Sequence, residues 1–360
     1  MGFDVVAVDY DPAYISEERF PNARRVLLGG GNKIAVQSMT NTRTADTDAT
    51  IKQIRELEGA GCDIVRVAVL DLSDAEALKK IKDGISLPLV ADIHFDFRLA
   101  VAAIENGADK IRINPGNIGG ENNVTRVLDC AKAHGVPIRI GVNSGSVEKC
   151  FLNSYKDKCV ALTESLLAKA RFCEKNGFEN LVLSLKSSDT TETISANRRL
   201  ASLCDYPLHI GVTEAGVGQT GIVKNSIGIG ALLSDGIGDT VRVSLTENPV
   251  DEVFVANEIL TALGLNEGLK FVSCPSCGRC KGDLIGTAKA DYAFARNIKR
   301  PLKIAVMGCA VNGPGEAKDA DVGLALGDGN AVFFKNGEVF RTVSSADVVT
   351  EFIKELQKLI

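Results

Sequence analysis

Long apolar runs are missing. No stretch approaches the ~18 residues of a membrane-spanning helix, so no span is expected. Residues 1–10 lack a basic patch followed by an apolar stretch, so no secretory leader is expected. Positive charge is not in excess either. The 360 residues carry a net charge of -5, which gives no general attraction to nucleic acid or to acidic membranes. A local basic group can still hold a small anion. There is no low-complexity tract, and no G-x-G-x-x-G segment follows a strand and opens a helix, which argues against a nicotinamide dinucleotide. Tryptophan is absent and nothing follows from that.

Cysteine, in contrast, is plentiful at ten residues. Without a leader the expected compartment is the cytoplasm, where metal or redox roles outrank disulfides.

From residue 32 to 265 a short β-rich run, a loop and an amphipathic stretch recur. The β-rich runs are 34–39, 64–69, 87–93, 110–114, 137–143, 181–186, 207–212 and 240–245. Helical stretches are read at 48–61, 73–83, 97–106, 122–133, 162–176, 191–203 and 248–263, several closed by glycine as a C-cap requires. Eight strands alternating with helices specify an α/β fold, a (β/α)8 TIM barrel over residues 1–265. A doubly wound open sheet is the alternative. Residues 266–360 read as a smaller α+β domain. It holds a cysteine-rich segment, a helix near 284–297, strands at 302–307, 322–326, 331–334 and 339–343, and a closing helix from Ser345, its expected N-cap.

Barrel chemistry sits at the C-terminal ends of the strands. The polar residues expected there are Gln37, Arg66, Asp92, His94, Arg112, Asn114, Arg139, Asn143, Ser184, Lys186, Glu214, Arg242 and Ser244. Four arginines and a lysine converging on one mouth call for an anion, and the guanidinium fork suits a diphosphate. A single strand-end arginine is as readily explained by a neighbouring carboxylate. The glycine-rich loop 215–221 lies where barrels often bind phosphate, a weak signal by itself. Of the three histidines, His94 is a site candidate, His134 reads as solvated and His209 as a satisfied structural residue.

Cys274, Cys277 and Cys280 stand at CxxC spacing, and Cys309 lies in Gly-Cys-Ala-Val-Asn-Gly-Pro-Gly-Glu (308–316). A structural zinc site with four thiolates and an iron–sulfur cluster with a fourth, non-cysteine ligand both fit this spacing. The other six cysteines, scattered through barrel helices and loops, read as structural residues packing as small hydrophobes.

Several segments together resemble the 4-hydroxy-3-methylbut-2-enyl diphosphate synthase family in its two-domain bacterial form. They are Val-Gln-Ser-Met-Thr-Asn-Thr (36–42), Ala-Asp-Ile-His-Phe (91–95), Lys-Ile-Arg-Ile-Asn-Pro-Gly-Asn (110–117), Arg-Ile-Gly-Val-Asn-Ser-Gly-Ser (139–146), Val-Thr-Glu-Ala-Gly (212–216), Ser-Cys-Pro-Ser-Cys-Gly-Arg (273–279) and 308–317. The resemblance runs from about Arg25 to the C-terminus, and the last two motifs are its most specific part.

The resemblance implies one 4Fe–4S cluster per subunit, held by Cys274, Cys277, Cys309 and Glu316. It implies reductive opening of 2-C-methyl-D-erythritol 2,4-cyclodiphosphate, with electrons from ferredoxin or flavodoxin. It also implies a homodimer whose active site is shared between chains. Arg66, Arg112, Asn114, Arg139, Asn143, Lys186, Arg242 and Ser244 are then the substrate-binding residues. Glu214 is the candidate proton donor, with His94 and Asp92 nearby. One position departs from the pattern: Cys280 stands where the family usually has threonine, and it reads as a bystander. The competing readings are a zinc-stapled, non-redox barrel in the style of dihydropteroate synthase and an electron carrier without an active site of its own.

Overall fold

The alternating runs become an eight-stranded parallel barrel in a computed structural model that describes residues 24–296, 298 and 300–359. Residues 1–10, read above for a leader, lie outside the described residues. The chain divides into two compact units, with the break between Leu263 and Gly264.

The barrel strands are β1 (Ala35–Met39), β2 (Ile64–Val69), β3 (Leu89–Ile93), β4 (Lys110–Ile113), β5 (Ile138–Asn143), β6 (Leu181–Lys186), β7 (His209–Ile210) and β8 (Thr240–Val241). Between and after them come α1 (Thr47–Gly59), α2 (Leu72–Asp83), α3 (Phe97–Glu105), α4 (Glu121–His134), α5 (Lys149–Ser154), α6 (Lys158–Lys175), α7 (Thr190–Ala201), α8 (Gly218–Ser234) and α9 (Pro249–Ala262). Strand order is β6-β5-β4-β3-β2-β1-β8-β7, and a parallel bridge from Leu183 to Leu208 closes the ring. The Leu183 N–H donates to Pro207 O at 2.9 Å across that seam.

Period-two alternation sorts the strand residues. Val65, Val67 and Val69 join Leu89, Ala91, Ile93, Ile111 and Ile113 in one large core between strands and helices. The alternate positions point into the ring. At its base Ala35, Ile64 and Val90 form a small apolar plug with Val26 and Leu28. Above the plug the inward positions are polar.

The helices start where an acidic or amide side chain accepts from the first turn: Asp46, Asp71, Asp96, Asp157, Asp189 and Asn248 cap α1, α2, α3, α6, α7 and α9. Each such cap contributes about 1 kcal/mol. The glycines expected at helix ends are there, as in Gly135, left-handed at φ 65° behind α4.

Three sequence expectations need correction in this unit. The runs 207–212 and 240–245 shrink to the two-residue strands β7 and β8. Gly211 explains the break: a Cβ there would lie 2.3 Å from the Arg242 carbonyl oxygen, so the two chains come closer than a regular ladder allows. The helix expected at 162–176 starts at Lys158, and α5 precedes it.

The second unit is a five-stranded mixed sheet in the order β13-β12-β11-β10-β9. Its elements are β9 (Leu269–Ser273), α10 (Leu284–Ala295), β10 (Leu302–Met307), α11 (Gly313–Glu316), β11 (Val322–Leu326), β12 (Asn330–Lys335), β13 (Glu338–Ser344) and α12 (Val348–Gln357). β9 was not expected from the sequence. It is an edge strand with no fully buried residue; only Leu269 and Phe271 pack on the core, and two alternate positions are a weak strand signal. The closing helix starts after Asp347 rather than at Ser345, whose N–H instead donates to Gly329 O at 3.2 Å. Leu302, Ile304, Val306, Leu324 and Phe333 meet Phe352 and Leu356 of α12 in a core of their own.

Candidate active site

Register places the polar residues side by side. Asp92 on β3 pairs with Arg112 on β4, and Arg112 with Arg139 on β5. Asn143 pairs with Lys186 and Gly141 with Ser184 on β5 and β6. All of these but Gly141, together with Arg66, His94 and Arg242, line a cavity of about 190 Å³ at the C-terminal ends of the strands, completed by Val212 and Thr213.

Two carboxylates answer part of the positive charge. Asp92 accepts from Arg112 at 3.2 Å and pairs with Arg66 at 3.7 Å and with His94 Nε2 at 3.4 Å. Burial opposes its charge, yet Arg66, the His94 hydrogen bond, Arg112 and Arg139 hold Asp92 well below the usual carboxylate range. Glu252, on α9, accepts from Arg242 at 3.2 and 3.3 Å, from Ser38 Oγ at 3.3 Å and from the Leu245 N–H at 2.9 Å. The sequence reading missed Glu252, because it sits on a helix and not at a strand end.

Among the described residues neither Arg139 nor Lys186 forms an ion pair with a carboxylate, although the Asp92 charge favours the charged form of Arg139. Arg139 is buried, donates to Gln37 Oε1 at 3.4 Å, and leaves its Nε without a partner, as is Gln37 Nε2. Lys186 donates to His209 Nε2 at 3.1 Å. Burial, then the surrounding arginines, push the proton affinity of both cations well below normal. Burial likewise brings Arg66 down to about 10 against the pull of Asp92. Five cationic side chains thus share two carboxylates, an excess of positive charge that a bound anion could offset.

Two glycines make the crowding feasible. A Cβ at Gly141 would stand 3.2 Å from Arg112 Nε, and one at Gly211 would stand 2.9 Å from Lys186 Nζ.

Nine of the barrel residues expected from sequence line the cavity: Arg66, Asp92, His94, Arg112, Arg139, Asn143, Ser184, Lys186 and Arg242. Asn114 is buried beside it, its Oδ1 accepting from the Gly116 N–H at 3.2 Å. The Ser244 N–H donates to Asn225 Oδ1 at 3.3 Å. Glu214 is exposed on the loop after β7, in left-handed backbone at φ 52°, an uncommon conformation for a residue with a side chain.

In the second unit β9 and β10 run parallel, with Ser273 opposite Val306, so Cys274 and Cys309 leave the same edge of the sheet. The Cys280 N–H donates to Cys277 O at 2.9 Å, and the Lys281 N–H to Gly308 O at 2.8 Å, which ties the two loops together. The Gly308 N–H donates to Cys274 Sγ at 3.1 Å. A Cβ at Gly308 would fall 3.0 Å from Cys280 Sγ and 3.5 Å from Cys274 Sγ, so glycine keeps the space between the loops open. The thiols are free. Among the described residues no three histidine, cysteine or acidic side chains are drawn together as a closed ligand set. Soft thiolates around an open glycine cradle fit an iron–sulfur group.

Fold and mouth define a (β/α)8-barrel protein with a cation-lined cavity at its strand ends and thiols on a second unit. Residues 22–257 match the GcpE TIM-barrel domain and residues 270–358 the GcpE protein C-terminal domain. Among curated relatives, the 4-hydroxy-3-methylbut-2-en-1-yl diphosphate synthase (flavodoxin) of Fusobacterium nucleatum is 55% identical over 95% of this chain and 96% of its own. The protein of that name from Caldanaerobacter subterraneus subsp. tengcongensis is 54% identical over 92% of this chain and 94% of its own. The solved dihydropteroate synthase of Xanthomonas albilineans covers 65% of this chain and 93% of its own at 13% identity and a TM-score of 0.47, too distant to bear on activity. The chain belongs to the GcpE family, and with that it is an iron–sulfur oxidoreductase.

Proposed function

We propose that the barrel mouth holds 2-C-methyl-D-erythritol 2,4-cyclodiphosphate and that the chain converts it to 4-hydroxy-3-methylbut-2-enyl diphosphate, the product in its relatives' names. The reaction takes up two electrons and two protons and releases one water. The observation that carries this reading is the excess of cations over carboxylates in a cavity of about 190 Å³. Arg66, Arg112, Arg139, Lys186 and Arg242 grip the diphosphate and offset charge as its ring opens. Asn114, Asn143 and Ser244 add neutral hydrogen bonds. Glu214, exposed on the loop after β7, is the proton donor in this reading, with Asp92 and His94 in the cavity wall.

Cys274, Cys277, Cys309 and Glu316 would hold one 4Fe–4S cluster, with Cys280 a bystander. Such a group, when bound, supplies electrons singly to the substrate. Flavodoxin, in the relatives' names, is the electron donor of first choice and ferredoxin the second. The assignment of the barrel to residues 1–265 and of the cluster domain to 266–360, a homodimer that shares its active sites, and a cytoplasmic location belong to the same proposal. No described helix is long and apolar enough to cross a membrane.

Arg112→Ala tests the clamp. It should weaken binding of the cyclic diphosphate at least about tenfold, as loss of a charge-assisted bidentate contact does, while visible absorbance and iron content stay unchanged. Unchanged affinity would sink the anion clamp.

A further inference from the structure

Lys186 and His209 form a pair that the substrate reading leaves unexplained. His209, on β7, is fully buried. Its Nε2 lies 3.1 Å from Lys186 Nζ and its Nδ1 3.4 Å from Oγ1 of Thr240, its register partner on β8. An ammonium only donates, so Nε2 must accept. The ring proton then sits on Nδ1 and is donated to Thr240 Oγ1. The surroundings enforce a neutral ring: burial first, then Lys186, Arg139, Lys110 and Arg66, hold the imidazole far below its usual proton affinity.

Lys186 needs such an acceptor. Arg139 from β5, Arg242 beyond β8, Arg66 from β2 and Arg112 from β4 all repel its charge, and burial adds to them. His209 is the partner the structure gives its ammonium. From the other side Gly211 leaves room for Nζ and nothing more, since a Cβ would stand 2.9 Å from it.

We propose that His209 is a positioning residue of the anion site: its Nε2 holds Lys186 Nζ in place and charged, in the tautomer that Thr240 fixes. The proposal rests on the anion-clamp reading and deepens it. The charges acting most strongly on Lys186 are the four arginines, while Asp92 and Glu252 are engaged by Arg66, Arg112 and Arg242, so losing the acceptor makes the lysine give up its proton at lower pH. The clamp then weakens at lower pH as well.

The test is calorimetric titration of the iron-loaded protein with inorganic pyrophosphate from mildly acid to mildly alkaline pH. It compares wild type with His209→Leu, His209→Gln and Thr240→Val. His209→Leu should bind about tenfold more weakly above neutrality, the size of one charged hydrogen bond. Its alkaline fall-off should move to lower pH. His209→Gln, which keeps an acceptor, should recover most of the affinity, and Thr240→Val should shift the fall-off the same way but less. A lower unfolding temperature with an unmoved fall-off in His209→Leu would make the histidine merely structural and overturn the proposal. If that variant does not fold, the Thr240→Val fall-off decides: unmoved, it overturns the proposal. Failure of the clamp itself looks different, since wild type would then bind no pyrophosphate and Arg112→Ala would change nothing.

Discussion

Asp92 does at residue scale what no hydrophobic residue at that position can. It lets Arg66 and Arg112 stand next to each other in a largely buried site. Asp92→Asn keeps the shape and removes the charge, leaving two facing guanidiniums. A loss of about 3 kcal/mol is expected from chemical unfolding, the usual cost of breaking a buried pair. Saturating pyrophosphate should restore part of it, because the anion replaces the missing charge; no restoration would mean that the mouth does not bind anions. The pH dependence has a definite sign. The folded carboxyl is depressed, so its stabilisation is present above the ordinary aspartate pKa of ~4 and is lost as pH falls below it. The gap between wild type and variant should therefore narrow in acid. The strand-end cations were legible in the sequence because arginine at an inward position is costly without a reason. Their partners were not. Glu252 reaches Arg242 from a helix, and His209 looks like any mid-strand residue until β6 and β7 are closed against each other.

Among the elements, the helices owe their starts to single polar side chains. Asp157 accepts from the Cys159 and Val160 N–H groups at 2.8 and 3.4 Å. Asp157→Ala should lower stability by about 1 kcal/mol with pyrophosphate affinity intact, because α6 starts outside the mouth; a loss of affinity would tie that helix to the site. In the second unit α10 carries an anomaly. Asp291 is fully buried, and neither of its oxygens has a hydrogen-bond partner among the described residues. Burial pushes its carboxyl up to about 7. Here the folded pKa lies above the unfolded one, so the native state keeps a proton that the unfolded chain releases. Stability is lost as pH rises from the ordinary ~4 through that value. Asp291→Asn should raise the unfolding temperature of the protein at mildly alkaline pH and leave it nearly unchanged near pH ~4; an equal shift at both would remove the carboxyl as the cause. Element boundaries were readable where apolar alternation and caps agreed, as for β2, β5 and α1. They failed at β7 and β8, where Gly211 permits a backbone approach that hydropathy does not encode, and at β9, where only Leu269 and Phe271 pack on the core.

At the scale of the molecule, two units with separate cores carry two kinds of chemistry. The barrel supplies fixed positive charge at its strand ends, and the smaller unit supplies thiols on two loops joined by the Lys281 to Gly308 hydrogen bond. Repetition of strand and helix made the barrel legible, and CxxC spacing made the thiols legible. Spacing did not choose between zinc and iron–sulfur; family membership did. The assignment of four irons rather than another count is the claim most open to a direct test. Protein purified without oxygen should be brown, with a broad visible absorbance and about four irons and four sulfides per chain. One zinc and no sulfide in carefully anaerobic protein would contradict the account.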